Sequence, residues 1–318
     1  MLLPLIAVAL GLLALLWSAD LFVGAAAATA RRAGMSTLLV GMTIVALGTS
    51  APEVVVSLMA SLDGIPDLAI GNALGSNVAN IGLVLGITAL VVPIPVRFSM
   101  VRRELPLLLG ATGLAGYALA NDHLGRLDAL LLIALLAFSL WWLFRADSPD
   151  VEEEMAGEIP DLALGRALGL LLITLAVMVA GSRGLVWGAS ELARAAGVSE
   201  LVIGLTIVAI GTSLPELVAC VASALRRHHD LAIGNVIGSN LFNLLAVLPL
   251  PGLIAPGVVD GAAGERDYPV MLALTLALGA LLLWHRRGRL GRLPGALLAA
   301  AYFAYLAWLG VASLAAGA

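Results

Sequence analysis

Two apolar segments of this chain, one in each half, carry nearly the same residues, and each ends on a proline and a glutamate. GMTIVALGTSAPE at 41–53 recurs as GLTIVAIGTSLPE at 204–216, and DLAIGNALGSNVAN at 67–80 recurs as DLAIGNVIGSNLFN at 230–243. Both pairs share one offset, so nothing is inserted between them. Across 41–86 and 204–249, 24 of 46 positions are identical. Chance likeness between apolar stretches does not reproduce GTS-x-PE and IGN-x-x-GSN-x-x-N together. The chain therefore has to fold as two related halves, each bringing one acid into an apolar setting.

That setting is a membrane. The chain is 61% hydrophobic and 12% charged, with mean hydropathy +1.05, where a soluble domain is closer to half apolar and a quarter charged. This excludes a water-soluble enzyme and a disordered chain. It also argues against a porin-type barrel, whose strands alternate polar and apolar residues. With about 20 apolar residues per crossing, spans are expected at 2–30, 35–61, 67–92, 104–120, 126–144, 162–193, 198–225, 231–255, 268–285 and 294–316. The apolar N-terminus lacks the basic n-region of a signal peptide and reads as the first span.

All 17 basic residues are Arg. Thirteen fall in connectors on one side of this topology, against Arg126, Arg194 and Arg266 on the other. The positive-inside rule then predicts both termini outside, in a multi-pass protein of the cell (inner) membrane. The expected organisation is a first five-helix repeat over 1–145, an acidic cytoplasmic linker over 146–161 and a second five-helix repeat over 162–318. The linker lacks the Asp/Asn spacing and turn glycine of an EF-hand loop and reads as a solvated connector. Five is odd, so the second half must cross in the opposite sense to the first. The fold class is an all-α polytopic membrane protein, ten helices as two inverted repeats, a transporter signature with its site near midplane.

Glu53 and Glu216 are the decisive residues. An ionisable group in a span costs at least about 2.5–3.5 kcal/mol and is functional by default. Pro52 and Pro215 precede them. Each removes an N–H and frees carbonyls about four residues back, near Gly48/Thr49 and Gly211/Thr212; such carbonyls are tolerated only where protein, water or an ion satisfies them. Thr49 and Ser50 stand four and three residues before Glu53, on one face if the helix continues, and Thr212, Ser213 and Glu216 repeat this. The partner motifs add Ser76 with Asn80 and Ser239 with Asn243. Asn72, Asn77, Asn235 and Asn240 are read as interhelical hydrogen bonds or caps sooner than as ligands, and Gly71, Gly75, Gly234 and Gly238 as close-packing positions. This all-oxygen set, without thiolate or imidazole, selects hard cations. Two ionised Glu balance one Ca2+, and Na+ can compete for the same oxygens.

At these residues the sequence resembles the cation/calcium antiporter superfamily, especially the prokaryotic sodium/calcium exchangers, whose paired α-repeats match 41–86 and 204–249. The resemblance implies exchange of Ca2+ for Na+ by alternating access, electrogenic if three Na+ move per Ca2+. It also implies long first and sixth spans that slide across the core. The implied calcium ligands are Glu53 and Glu216 with the carbonyls of Thr49 and Thr212. The implied sodium ligands include Ala46 and Ala209 through carbonyls, Thr49, Ser50, Ser76, Thr212, Ser213 and Ser239, with Asn80 and Asn243 lining the centre. Many relatives have Asp in place of Asn243, and the potassium-dependent branch uses that acid; its absence implies potassium independence.

The alternatives are H+/Ca2+ antiport on the same fold, a channel, and an intramembrane enzyme. No HExxH or GxSxG occurs, so an enzyme is not expected. No cofactor, nucleic-acid partner or obligatory protein partner is indicated; Ca2+, Na+ and the bilayer are the expected partners. Finally, the repeat offset makes Asp20 and Arg183 equivalent. They are expected either to meet near the pseudo-two-fold axis or to reach separate membrane interfaces.

Overall fold

The computed structural model describes residues 2–96, 98–146, 159–197, 209–259, 261, 263–285 and 288–316. Most of the acidic linker, and the start of the second motif at 204–208, lie outside them. Among the described residues, seven helices are long and apolar enough to cross a membrane, and an eighth crossing is the pair Thr37–Thr49 and Ala51–Leu62, bent by 45°. Phe98–Leu119 adds a 22-residue helix whose early turns carry Arg102, Arg103 and Glu104. Leu214–Leu225 is shorter, with Ala209–Thr212 ahead of it.

Burial sorts these elements. The apolar stretch of His229–Ile254 is 94% buried and that of Pro66–Val91 78%, against 22% for Leu2–Ala33. The two motif-bearing helices thus form the centre, and leucine-rich helices surround them. The long helices Leu2–Ala33 and Leu164–Ala195 have 32 residues each, about 48 Å of helix. A hydrocarbon layer of about 30 Å accommodates that length by tilt.

These two helices pack antiparallel on glycine. A Cβ on Gly11 would lie 2.6 Å from the Gly181 carbonyl, and one on Gly188 2.6 Å from the Pro4 carbonyl. Only glycine allows backbones this close. The register corrects one expectation. Gly11 faces Gly181 and Gly188 faces Pro4, so Asp20 and Arg183 are displaced by about 11 residues, roughly 16 Å along the helices. They do not meet. Asp20 instead pairs with Arg226, at the end of Leu214–Leu225.

Two short antiparallel pairs join the halves. Ile94–Pro95 pairs with Arg289–Leu290, and His123–Leu124 with Gly257–Val258. Arg31 and Arg32 reach Asp161 at 3.2 and 2.6 Å, which ties the end of the linker to the first helix. The Arg31/Arg226 face and the Asp63/Arg266 face are the two ends of the helical assembly.

Candidate cation site

The site is built at two helix breaks. Thr37–Thr49 stops at Ser50 (φ −83°, ψ 4°), and Ala51–Leu62 begins there. In the second half Ala209–Thr212 stops at Ser213 (φ −89°, ψ 6°), and Leu214–Leu225 begins. Pro52 and Pro215 therefore sit in the first turn of a new helix, where a missing N–H needs no partner. The sequence pointed to a loosened turn around Gly48 and Thr49; the break falls one residue later, at the serine. Its consequence is electrostatic. Glu53 and Glu216 lie in first turns, where free N–H groups and the helix dipole favour a carboxylate.

The two breaks meet. The Ser50 hydroxyl donates to Glu216 Oε1 at 3.4 Å across the halves. Glu53 and Glu216 are each 2% exposed. Thr49, Ser50, Ser76, Asn80, Ser213, Ser239 and Asn243 are buried, and Thr212 is half-buried. Glu53 Oε2, Glu216 Oε2, Asn80 Nδ2, Ser239 Oγ and both amide atoms of Asn243 are enclosed and have no hydrogen bond among the described residues. Buried polar atoms are nearly always paired, so this concentration within the repeated motifs marks a place prepared for a polar guest. The Ala46 carbonyl accepts from Ser50 N at 2.9 Å and from the Thr49 hydroxyl at 3.4 Å. Ala209 opens the helix Ala209–Thr212.

The other four asparagines bond within the protein. Asn77 and Asn240 donate to carbonyls one turn back, at 2.9 and 2.8 Å. Asn72 and Asn235 bond between helices, at equivalent positions but to different ends. Asn72 donates to Ser57 Oγ at 2.9 Å and to the Glu53 carbonyl at 3.1 Å. Asn235 donates to Cys220 Sγ at 3.3 Å and accepts from the Thr49 hydroxyl at 3.1 Å. Cys220 occupies the repeat position equivalent to Ser57 and donates to the Ala232 carbonyl at 3.4 Å. Asn235→Leu leaves the Thr49 hydroxyl only its long 3.4 Å bond to the Ala46 carbonyl, and a stability loss of about 1–3 kcal/mol is expected. Cys220→Ser restores the first-half arrangement and is expected to be neutral. Thermal unfolding of the purified variants in detergent checks both.

A cavity leads to the site. A cavity of about 290 Å³ is lined by Gly71, Gly75, Ser76, Thr212, Ser213 and Asp267, among others. Among the described residues, a Cβ on Gly71 or Gly75 would meet nothing within 4 Å. Their counterparts are sealed: a Cβ on Gly234 would lie 2.6 Å from the Leu38 carbonyl, and one on Gly238 2.4 Å from the Met42 carbonyl. The residues equivalent to Leu38 and Met42 in the second half, 201 and 205, lie outside the described residues. At the open mouth Arg266 grips Asp267 with two bonds, at 2.7 and 3.0 Å, and Tyr305 donates to Asp267 at 2.9 Å. Sequence reasoning missed Asp267; the signal was an acid at the edge of an apolar run, outside the repeated blocks.

Asn80 and Asn243 each begin a π-helical stretch, Asn80–Leu85 and Asn243–Val247. Such wide turns occur often at functional sites. The donor set is two carboxylates, hydroxyls, amides and carbonyls, and among the described residues no three His, Cys, Asp or Glu gather. It fits a hard cation held in a cage of oxygens.

Comparison with known proteins agrees. The sequence profile of the sodium/calcium exchanger protein family matches residues 3–145 and 166–311. The putative antiporter CaxA of Alkalimonas amylolytica is 46% identical over 96% of this chain and 98% of its own. The inner membrane protein YrbG of Escherichia coli K12 is 44% identical over 94% of each chain. A structure of the sodium-calcium exchanger NCX_Mj, soaked with 2.5 mM Na+ and 0.1 mM Ca2+, superposes with a TM-score of 0.83 at 32% identity, covering 96% of this chain and 98% of that one. A helical membrane protein with this profile and this fold belongs to the sodium/calcium exchanger family, and so to the cation/calcium antiporters.

Proposed function

We propose that the protein exchanges Ca2+ for Na+ by alternating access, with Glu53 and Glu216 as the shared carboxylates. One observation carries this: two repeat-equivalent glutamates with unsatisfied oxygens are enclosed at helix breaks, and Ser50 beside the first break bonds Glu216 at the second. Thr49 and Thr212 complete the calcium position through their carbonyls. Ala46, Ala209, Ser50, Ser213, Ser76 and Ser239 serve sodium, and Asn80 and Asn243 line the centre. The ten-span, inverted five-plus-five organisation is supported by the antiparallel packing of the two long helices and by the end pairs that join the halves. Thirteen of 17 arginines on one side supports both termini outside and the 146–161 linker in the cytoplasm. The cavity then opens outward.

Two carboxylates balance one Ca2+, and three Na+ leave one positive charge. Each cycle then moves one net charge, worth about 2.3 kcal/mol per 100 mV. The test is radioactive calcium uptake into sodium-loaded proteoliposomes at clamped pH. Uptake is expected to require the sodium gradient and to respond to an imposed membrane potential. Rubidium tracer is expected to remain uncoupled, because Asn243 carries no charge. Uptake driven by a proton gradient alone would assign H+/Ca2+ antiport; flux without any counter-ion would assign a channel.

A further inference from the structure

We propose that two ion pairs form alternately in this protein, Asp20–Arg226 and Arg183–Asp63, each latching one of the two access states. The inference rests on the alternating-access reading. The first pair is formed: Arg226 Nη2 meets Asp20 Oδ1. The repeat offset carries Asp20 onto Arg183 and Asp63 onto Arg226. Both signs are exchanged, so the second pair is attractive as well. Asp63 ends the helix Ala51–Leu62 as Arg226 ends Leu214–Leu225.

The second pair is apart here. Asp63 and Arg183 are both exposed. Arg183 lines a cavity of about 220 Å³ with Pro52, Val56 and Pro215, near the helix break. Asp20 instead lines one with Val221, Ala222, Leu225 and Arg226, at the far end of the equivalent helix. Asp63 lies seven residues beyond Val56, about 10 Å at 1.5 Å per residue. The two long helices interlock through Gly11, Gly181 and Gly188 and move as one body. Sliding that body by the same seven helical positions toward the Asp63 face brings Arg183 to Asp63. The same movement draws Asp20 away from Arg226, so the two latches exclude each other.

The test uses the full chain in liposomes with Cys220→Ser as background. Asp63→Cys with Arg183→Cys is expected to cross-link under copper–phenanthroline. The cross-link is expected to protect Leu306→Cys, in the cavity on the Arg266 face, from a membrane-impermeant maleimide. Without cross-linking, Asp20→Asn or Arg226→Gln should lower that labelling. Asp63→Asn or Arg183→Gln should raise it. Each change is expected to reach at most about five-fold, the ceiling for an exposed pair. The charge-exchanged double variant Asp63→Arg with Arg183→Asp should return to the parent level. Failure to cross-link, or labelling that shifts the same way in all four single variants, overturns the latch. Neither readout needs transport. A protein that cross-links but moves no calcium keeps the latch and loses the exchange reading; normal exchange without cross-linking loses only the latch.

Discussion

Glu53→Gln and Glu216→Gln are each expected to reduce calcium exchange to background while leaving the protein folded. A unit charge about 4 Å from a divalent cation contributes roughly 8 kcal/mol of gross attraction at an effective dielectric of 20. Most of that is offset by desolvation. A net loss of only about 2.7 kcal/mol already weakens binding a hundred-fold. Glutamine keeps the shape and one acceptor oxygen. Without cations, removing a buried charge relieves desolvation, so the variants should unfold at the same temperature as the parent or higher. The parent should gain stability with added Ca2+, because a ligand that binds only the folded state stabilises it; the variants should not. Near-normal flux in either purified variant would remove the assignment.

The second large effect is an asymmetry between equivalent glycines. Gly75→Leu is expected to fold, since among the described residues a Cβ there meets nothing within 4 Å, and yet to abolish exchange. In the opposite state position 75 must take the backbone contact that Gly238 makes here with Met42. Gly238→Ala is expected to act the other way. Its Cβ would lie 2.4 Å from the Met42 carbonyl and 2.7 Å from Ala46 Cβ, so the sealed face must separate. A stability loss of about 1–3 kcal/mol follows from such overpacking, with cavities opening toward the Arg226 face. Thermal unfolding paired with flux separates the two. Equal behaviour of both variants would mean that the halves do not exchange roles.

What the residues disclosed in advance was whatever the duplication repeats. That Glu53 and Glu216 lie buried among apolar helices with hydroxyls nearby was legible because a charge in an apolar run has few explanations. The asparagines were legible in part: Asn72 and Asn235 bond between helices, as expected, but a motif identical in both halves cannot say that one reaches a carbonyl and the other a hydroxyl. The position of the break was not legible. A proline reads equally as a kink in one helix or as the first turn of the next, and only backbone geometry at Ser50 and Ser213 decides. Of the two placements open to Asp20 and Arg183, the meeting near the axis fails for a similar reason. Sequence equivalence fixes which residues correspond, but the register of two antiparallel helices decides which ones touch.

The two-residue strand pairs at the ends of the assembly also set a timetable for folding. Ile94–Pro95 waits for Arg289–Leu290, made far later in the chain, and His123–Leu124 waits for Gly257–Val258. At about 5–20 residues per second of synthesis, the longer interval, from Ile94 to Arg289, lasts roughly 10–40 s. During it the first-made edge has no partner, and Ser50 has no Glu216 to bond. The early helices are therefore inserted before anything closes over them. A chain stopped near residue 145 is expected to remain sensitive to membrane proteases however well each helix inserts.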